Sequence, residues 1–377
     1  MARLCVLLAA LMAAPGAAHG QACEPATWVR LEGAVAAAPA REVLAEMAKR
    51  DVVLLGETHD EADDHRWQLH TLAALHVLRP DMAIGFEALP RAAQPALERW
   101  VRGELAFEQL LEQAKWREVW NVDPELYRPL LEFARLHAVP ALALNVGKAE
   151  RATLSRPAPP PPAYLEVLRR AFRAHRGGNR REGGAEDEKA FEAFVRAQQG
   201  WDRAFAEGLA ARAGRGGKGT LAVGIIGSGH LRDGHGVALQ LRDLGIERVG
   251  TLLPLRAPED CGELNPGLAD AAFLLPPRPA GEKREQPGKP RLGVQLEPGD
   301  DGVRLVAVTE GSLAERAGLR KGDIVVSLAG RRLESGAAGA ARLVEAVREQ
   351  PAGTWLPLQV RRGDGVVDIV VRFPAAE

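Results

Sequence analysis

The chain has 377 residues, a length that favours two or three domains over one. Its 46% hydrophobic and 26% charged content is ordinary for globular protein, and a formal net charge of −1 argues against nucleic-acid binding by bulk electrostatics. Tyr127 and Tyr164 are the only two tyrosines, so any phenolate chemistry must use one of them.

Arg3, the apolar run from Leu4 to Ala14 and the small residues Ala17, Ala18, Gly20 and Ala22 read as a secretory signal peptide over residues 1–22. The apolar run is too short to span a bilayer, and no later segment is long and apolar enough to do so. The expected destination is the periplasm, with outer-membrane association left open. Lipid attachment at Cys23 is disfavoured, because Gly20 stands where a bulkier apolar residue is usual. Cys23 and Cys261 remain after cleavage; a disulfide between them and two unrelated thiols are both open readings.

A helix is expected over Ala34 to Ala48, followed by the buried-strand run Val52-Val53-Leu54-Leu55. Gly56 breaks that run, and Glu57 and His59 follow, two apart and so on one side of an extended segment. The helix from Asp64 to Leu78 carries His65, His70 and His76; the surface or helix-end reading is preferred for all three, with the cleft as the other reading for His65, which stands closer to the strand end. Ala83-Ile84-Gly85-Phe86 ends in Glu87, Pro140 to Leu144 ends in Asn145, and Leu221 to Gly229 ends in His230. Helical stretches separate these runs, notably Gln94 to Trp116, Pro129 to His137 and Phe191 to Ala211. Trp116, Trp120 and Tyr127 read as aromatic packing or as a flat lid. Arg156 to Pro162 is proline-rich, and Gly177 to Glu188 reads as a flexible loop. The pattern predicts an α/β fold: a largely parallel central sheet flanked by helices, with the polar residues gathered at the carboxyl edge of the strands. Glu57, His59, Glu87 and His230 are the catalytic candidates, and Glu57, His59 and His230 are also candidate ligands for a divalent metal ion.

Pro276 begins a Pro-, Gly- and charge-rich stretch, of which residues 278–290 are read as a linker; residues 23–277 then form one domain and 291–377 another. The last part is a small β-rich domain whose run Gly311 to Gly322-Asp323-Ile324 resembles a bacterial PDZ domain. By that resemblance Leu292, Gly293, Val294, Gln295 and Leu296 bind peptide: a peptide C-terminus would be captured in the loop while its backbone adds a strand. Docking against its own first domain is the other reading.

The first domain resembles the ChaN-like family of exported haem-binding proteins, in a superfamily with Tiki-type metalloproteases and erythromycin esterases. The resemblance rests on Leu55-Gly56-Glu57-Thr58-His59, Gly85-Phe86-Glu87 with Arg91 and Gln94, Tyr127-Arg128-Pro129 with Asn145, Gln198 with Trp201-Asp202, Gly227-Ser228-Gly229-His230 with Gly236-Val237, and Leu252-Leu253-Pro254. It implies a haem-binding protein of iron or haem uptake or trafficking, with Tyr127 as the candidate haem ligand. The alternative it implies is a metal-dependent hydrolase of peptides or esters, using Glu57, His59 and His230 with Glu87 as acid or base. The partners expected are haem or a small-molecule or peptide substrate, and peptide C-termini through the PDZ domain, with no nucleic acid; a homodimer is left open.

Overall fold

The computed structural model describes residues 23–120, 122–175, 185–278, 292–348, 350, 354–363 and 365–373. The signal segment, residues 279–290 of the expected linker and residues 177–184 of the expected loop lie outside the described residues, while residues 185–188 of that loop are helical. The chain divides into two compact units, Met1–Pro279 and Ala280–Glu377.

The first unit is built on an eight-stranded sheet in the order β2-β1-β8-β7-β3-β6-β4-β5. Its parallel part comprises β8 (Ala271–Leu275), β7 (Val249–Arg256), β3 (Val52–Glu57), β6 (Leu221–Gly227), β4 (Met82–Pro90) and β5 (Ala141–Asn145). Every residue of β3, β6 and β7 is buried, as expected of strands covered on both faces. Side-chain alternation divides the core in two. Val53 and Leu55 of β3, with Val223 and Ile225 of β6, pack under α2 (Ala62–Leu78) and α6 (Arg128–Leu136). Val52 and Leu54, with Ala222 and Ile226, pack under α9 (Ala185–Ala210) and α10 (Val237–Asp243).

Several boundaries depart from the sequence reading. The expected helix from Ala34 becomes β2 (Ala36–Ala38) followed by α1 (Ala40–Met47); Pro39, extended at ψ 134°, separates them. β2 pairs with β1 (Thr27–Arg30), which itself pairs antiparallel with β8. The expected single helix from Gln94 to Trp116 is three: α3 (Gln94–Val101), α4 (Phe107–Gln113) and α5 (Trp116–Val119). Gly103 (φ 75°) and Lys115 (φ 50°) take the left-handed conformation that a continuous helix cannot contain. α7 (Lys148–Arg151) precedes the proline-rich stretch, which ends in α8 (Pro162–His175) with Tyr164 in its first turn.

Cys23 and Cys261 form a disulfide, with Cα atoms 5.9 Å apart, tying the start of the described chain to the segment between β7 and β8. A sulfur so engaged cannot also carry a lipid thioether. Among the described residues no helix is long and apolar enough to cross a membrane.

The second unit is an antiparallel sheet in the order β14-β13-β11-β10-β9, with β12 (Arg331–Arg332) paired to β11. Its members are β9 (Val294–Gly299), β10 (Gly302–Val308), β11 (Ile324–Leu328), β13 (Trp355–Arg362) and β14 (Gly365–Arg372). The short α11 (Leu313–Arg316) follows β10, and α12 (Gly336–Arg348) packs against β9 and β10. β9 is an edge strand, with Val294 and Leu296 turned to the core and Gln295 and Glu297 exposed. Gly293, at φ 77°, sits where a Cβ would lie 2.3 Å from that of Ser312, so the bend into β9 requires glycine.

Candidate functional site

The strand ends of β3, β6 and β4 are neighbours, so Glu57, Gly227 and Glu87 share one edge of the sheet. Glu57 continues the parity of Val53 and Leu55 and faces α2 and α6. Its Oε1 accepts from the Tyr127 hydroxyl at 2.5 Å and lies 2.8 Å from His59 Nδ1. Its Oε2 accepts from Gln68 Nε2 at 3.1 Å and lies 3.5 Å from His65 Nδ1. A carboxylate this buried is tolerated because donors surround it.

Glu87 has the opposite parity and faces α9. Its Oε2 accepts from the Gly227 N–H at 2.7 Å. His230 Nδ1 meets Asp202 Oδ1 at 2.6 Å, and Asp202 Oδ2 accepts from the Tyr164 hydroxyl at 2.9 Å. The other ring nitrogen, Nε2, lies 3.8 Å from Glu87 Oε1, longer than a hydrogen bond. Two polar clusters, one on each face of the sheet, thus meet over its edge, and Gly227 is the joint. A Cβ there would stand 2.7 Å from His59 Cε1 and 3.4 Å from Glu87 Oε2, so the missing side chain is what lets His59 approach.

Both imidazoles are anchored through Nδ1 by a carboxylate, which fixes ring orientation and favours the charged form. For His59, burial pushes the pKa down, but the Glu57 hydrogen bond and the charges of Glu87 and Glu57 outweigh it, and the net shift is upward. For His230, burial again pushes down while Asp202, and more weakly Glu87, raise it to about 9. Burial pushes Glu57 up, yet His59, His65 and Tyr127 together hold it below the usual carboxylate value. Burial and then the Glu57 charge drive the Tyr127 phenol well above its ordinary value. Asp64, which accepts from the Thr58 N–H at 2.7 Å, is pushed up to about 7 by burial and then by the charges of Glu61 and Glu57.

His230, with a folded pKa above its unfolded 6.5, contributes stability that is whole below about pH 6.5 and is lost as pH rises through about 9. The contribution is on the order of 3 kcal/mol. Denaturant unfolding is expected to show stability falling across that window, and Asp202→Asn is expected to flatten the fall.

Of the residues singled out in the sequence, Glu57, His59, Glu87 and His230 are brought together. Asn145 turns away, its Oδ1 accepting from the Val146 N–H. Tyr127 is 1% exposed, its oxygen facing a carboxylate rather than solvent. Trp120 does flank the cluster, edge-on to His59 with ring centroids 4.6 Å apart, and Trp116 packs on Tyr127. His65, read as a surface residue, is buried, with Nε2 3.0 Å from the His59 carbonyl. Asp202 was visible only as part of a resemblance, and Tyr164 was hidden behind the prolines. Among the described residues no group of three or more His, Cys, Asp or Glu is placed to hold a metal ion. Glu57 is engaged by His59, Tyr127 and Gln68, while His59 and His230 each use Nδ1 on a carboxylate, Glu57 and Asp202 respectively.

Fold and site define an α/β domain with carboxylate-anchored histidines at its strand ends, followed by a PDZ domain. Residues 43–241 match the family model described as haem-binding uptake, Tiki superfamily, ChaN, and residues 290–372 match that of the PDZ domain. The first match covers just over half of the chain, which belongs to that ChaN family. Among solved structures the chain is similar to ChaN of Campylobacter jejuni, described with cofacial haem binding, at 17% identity and a TM-score of 0.54 over 65% of this chain and 95% of that one. That likeness is one of fold. The HtrA3 PDZ domain bound to a phage-derived ligand matches at 24% identity over 22% of this chain and 82% of that one (TM-score 0.19). The serine endoprotease from Yersinia pestis matches at 19% identity over 23% of this chain and 29% of that one (TM-score 0.19). Among curated proteins, none matches the chain. A general uptake role, joined to peptide binding by the PDZ domain, follows from the family and the second unit.

Proposed function

We propose that this is an exported haem-binding protein of uptake or trafficking, with His59 rather than Tyr127 as the iron ligand. The observation that carries it is the setting of His59: a part-exposed imidazole, backed at Nδ1 by a buried carboxylate and standing against the Trp120 indole. A carboxylate behind an imidazole makes it a better donor, and an indole offers apolar surface to a porphyrin. Family membership supports haem as the cargo. Ligation by Tyr127 would first have to break its bond to Glu57 and ionise a phenol whose pKa is raised. The PDZ unit fits a peptide C-terminus laid along β9, with Leu292, Gly293, Val294, Gln295 and Leu296 forming the loop and strand that receive it.

Hemin titrated into the purified mature protein is expected to give a Soret shift that survives Tyr127→Phe and is lost in His59→Ala. Binding is expected to tighten as pH rises past neutrality, because Glu57 and Glu87 hold the proton on His59 that the iron must displace. A shift lost in Tyr127→Phe and kept in His59→Ala would assign the ligand to the phenol instead.

One observation favours a second reading, hydrolysis. His230, protonated and oriented by Asp202, stands 3.8 Å from Glu87, close enough for a substrate atom to bridge them. Glu87 would take a proton from attacking water while His230 gives one to the leaving group, with no metal required. Turnover of chromogenic ester or peptide substrates, abolished in His230→Ala and Glu87→Gln, would carry that reading; a wild-type protein inert toward both classes would remove it.

A further inference from the structure

A different pair of histidines lies at the opposite edge of the sheet. α2 begins just past the carboxyl end of β3 and runs back toward the start of β4, so His76, in its last turn, is far along the helix from Glu57. α6 runs the same way from Tyr127 and ends at His137, which caps it. The two rings meet with centroids 5.0 Å apart and planes inclined at 57°. Phe133 backs both, at 5.7 Å from His76 and 4.5 Å from His137. We propose that His76 and His137 form a binding site for a divalent transition-metal ion of the zinc, nickel or copper type, separate from the strand-end cluster.

The geometry suits it. A metal–nitrogen bond of about 2.0–2.1 Å plus the distance from nitrogen to ring centre puts each centroid about 3.2 Å from the ion, so two imidazoles at a tetrahedral angle stand roughly 5 Å apart. Neither ring is engaged elsewhere: no hydrogen bond to either side chain is present among the described residues, and the buried His76 Nδ1 has no partner. His59, His65 and His230, by contrast, are each tied to a carboxylate or carbonyl. His76 is part-exposed and His137 exposed, so the pair can be reached from solvent. With two protein ligands, water completes the shell, which is how an exchangeable ion rather than a structural one is held.

The test is calorimetric titration of the tag-free mature protein with zinc and with nickel, at slightly alkaline pH. One equivalent is expected. His76→Ala and His137→Ala are each expected to weaken it by on the order of tenfold or more, since even outer partners of a ligand are worth about that much. His137 is exposed, so its variant stays informative should His76→Ala misfold. His59→Ala with His230→Ala is expected to leave the affinity unchanged, which separates this site from the haem reading. Affinity that is unchanged in the His76→Ala, His137→Ala double variant, or lost instead with His59 and His230, overturns the proposal. So does binding of several weak equivalents indifferent to both pairs.

Discussion

Glu57→Ala is expected to destabilise the α/β unit by roughly 3–5 kcal/mol, the range for breaking a buried charge cluster by removing one partner. The carboxylate serves four neighbours at once: His59, Tyr127, Gln68 and His65. Truncation leaves the Tyr127 hydroxyl buried without its acceptor, and such an orphan costs about 1–3 kcal/mol, whereas the Gln68 amide keeps the Gly56 carbonyl at 3.1 Å. Glu57→Gln keeps the volume but presents an amide N–H to groups that are themselves donors, so it is expected to restore little. Tyr127→Phe alone removes donor and hydroxyl together and should cost less than either change at Glu57. In the double variant the two losses should fall well short of their sum, because the residues share one hydrogen bond. Urea denaturation of the wild type, Glu57→Ala, Glu57→Gln, Tyr127→Phe and the double variant measures this. A loss below about 1 kcal/mol for Glu57→Ala would mean that the cluster is not the packed network described.

Loss of the Cys23–Cys261 disulfide is the second large effect. The bridge spans a sequence separation of 238 residues. The chain-entropy relation gives a ceiling of roughly 5 kcal/mol for a loop of that length, and measured bridges give about 2–4 kcal/mol. Part of the effect is local. The described chain enters at Cys23 and goes directly into β1, which covers the β8 edge of the parallel sheet. Releasing that anchor is expected to free β1 and β2 first, leaving β8 as an exposed edge prone to association. Cys261→Ser should therefore melt earlier than the oxidised wild type, match the reduced wild type, and aggregate more readily. Identical melting with and without reductant would show that the bridge contributes nothing.

What could be read from the sequence, and what could not, divides along physical lines. Val52 to Leu55 and Leu221 to Ile226 declare themselves because a strand covered on both faces must be apolar throughout. The polar residue that ends each run marks the carboxyl edge, so Glu57, Glu87 and His230 could be grouped before their neighbours were known. Their partners could not. Asp202 lies in the middle of a long helix, where an aspartate reads as solvated; only the packing of α9 against the face that carries Glu87 puts it behind His230. His65 is hidden for the same reason on α2, and Tyr164 by prolines that end where its helix starts. The position of Tyr127 is legible, but the direction of its hydroxyl depends on a buried carboxylate 70 residues away. β1 and β2 escaped because strands of four and three residues carry too little alternation to register.

Two histidines from distant parts of the chain are each held by their own carboxylate over one sheet edge. Nuclear magnetic resonance titration of the imidazoles tests it most directly. His59 and His230 are expected to titrate above the ordinary 6.5, His230 near 9. Glu57→Gln should lower His59 far more than His230, and Asp202→Asn should do the reverse. Both rings titrating near 6.5 in the wild type, or neither responding to its own carboxylate, would contradict the arrangement.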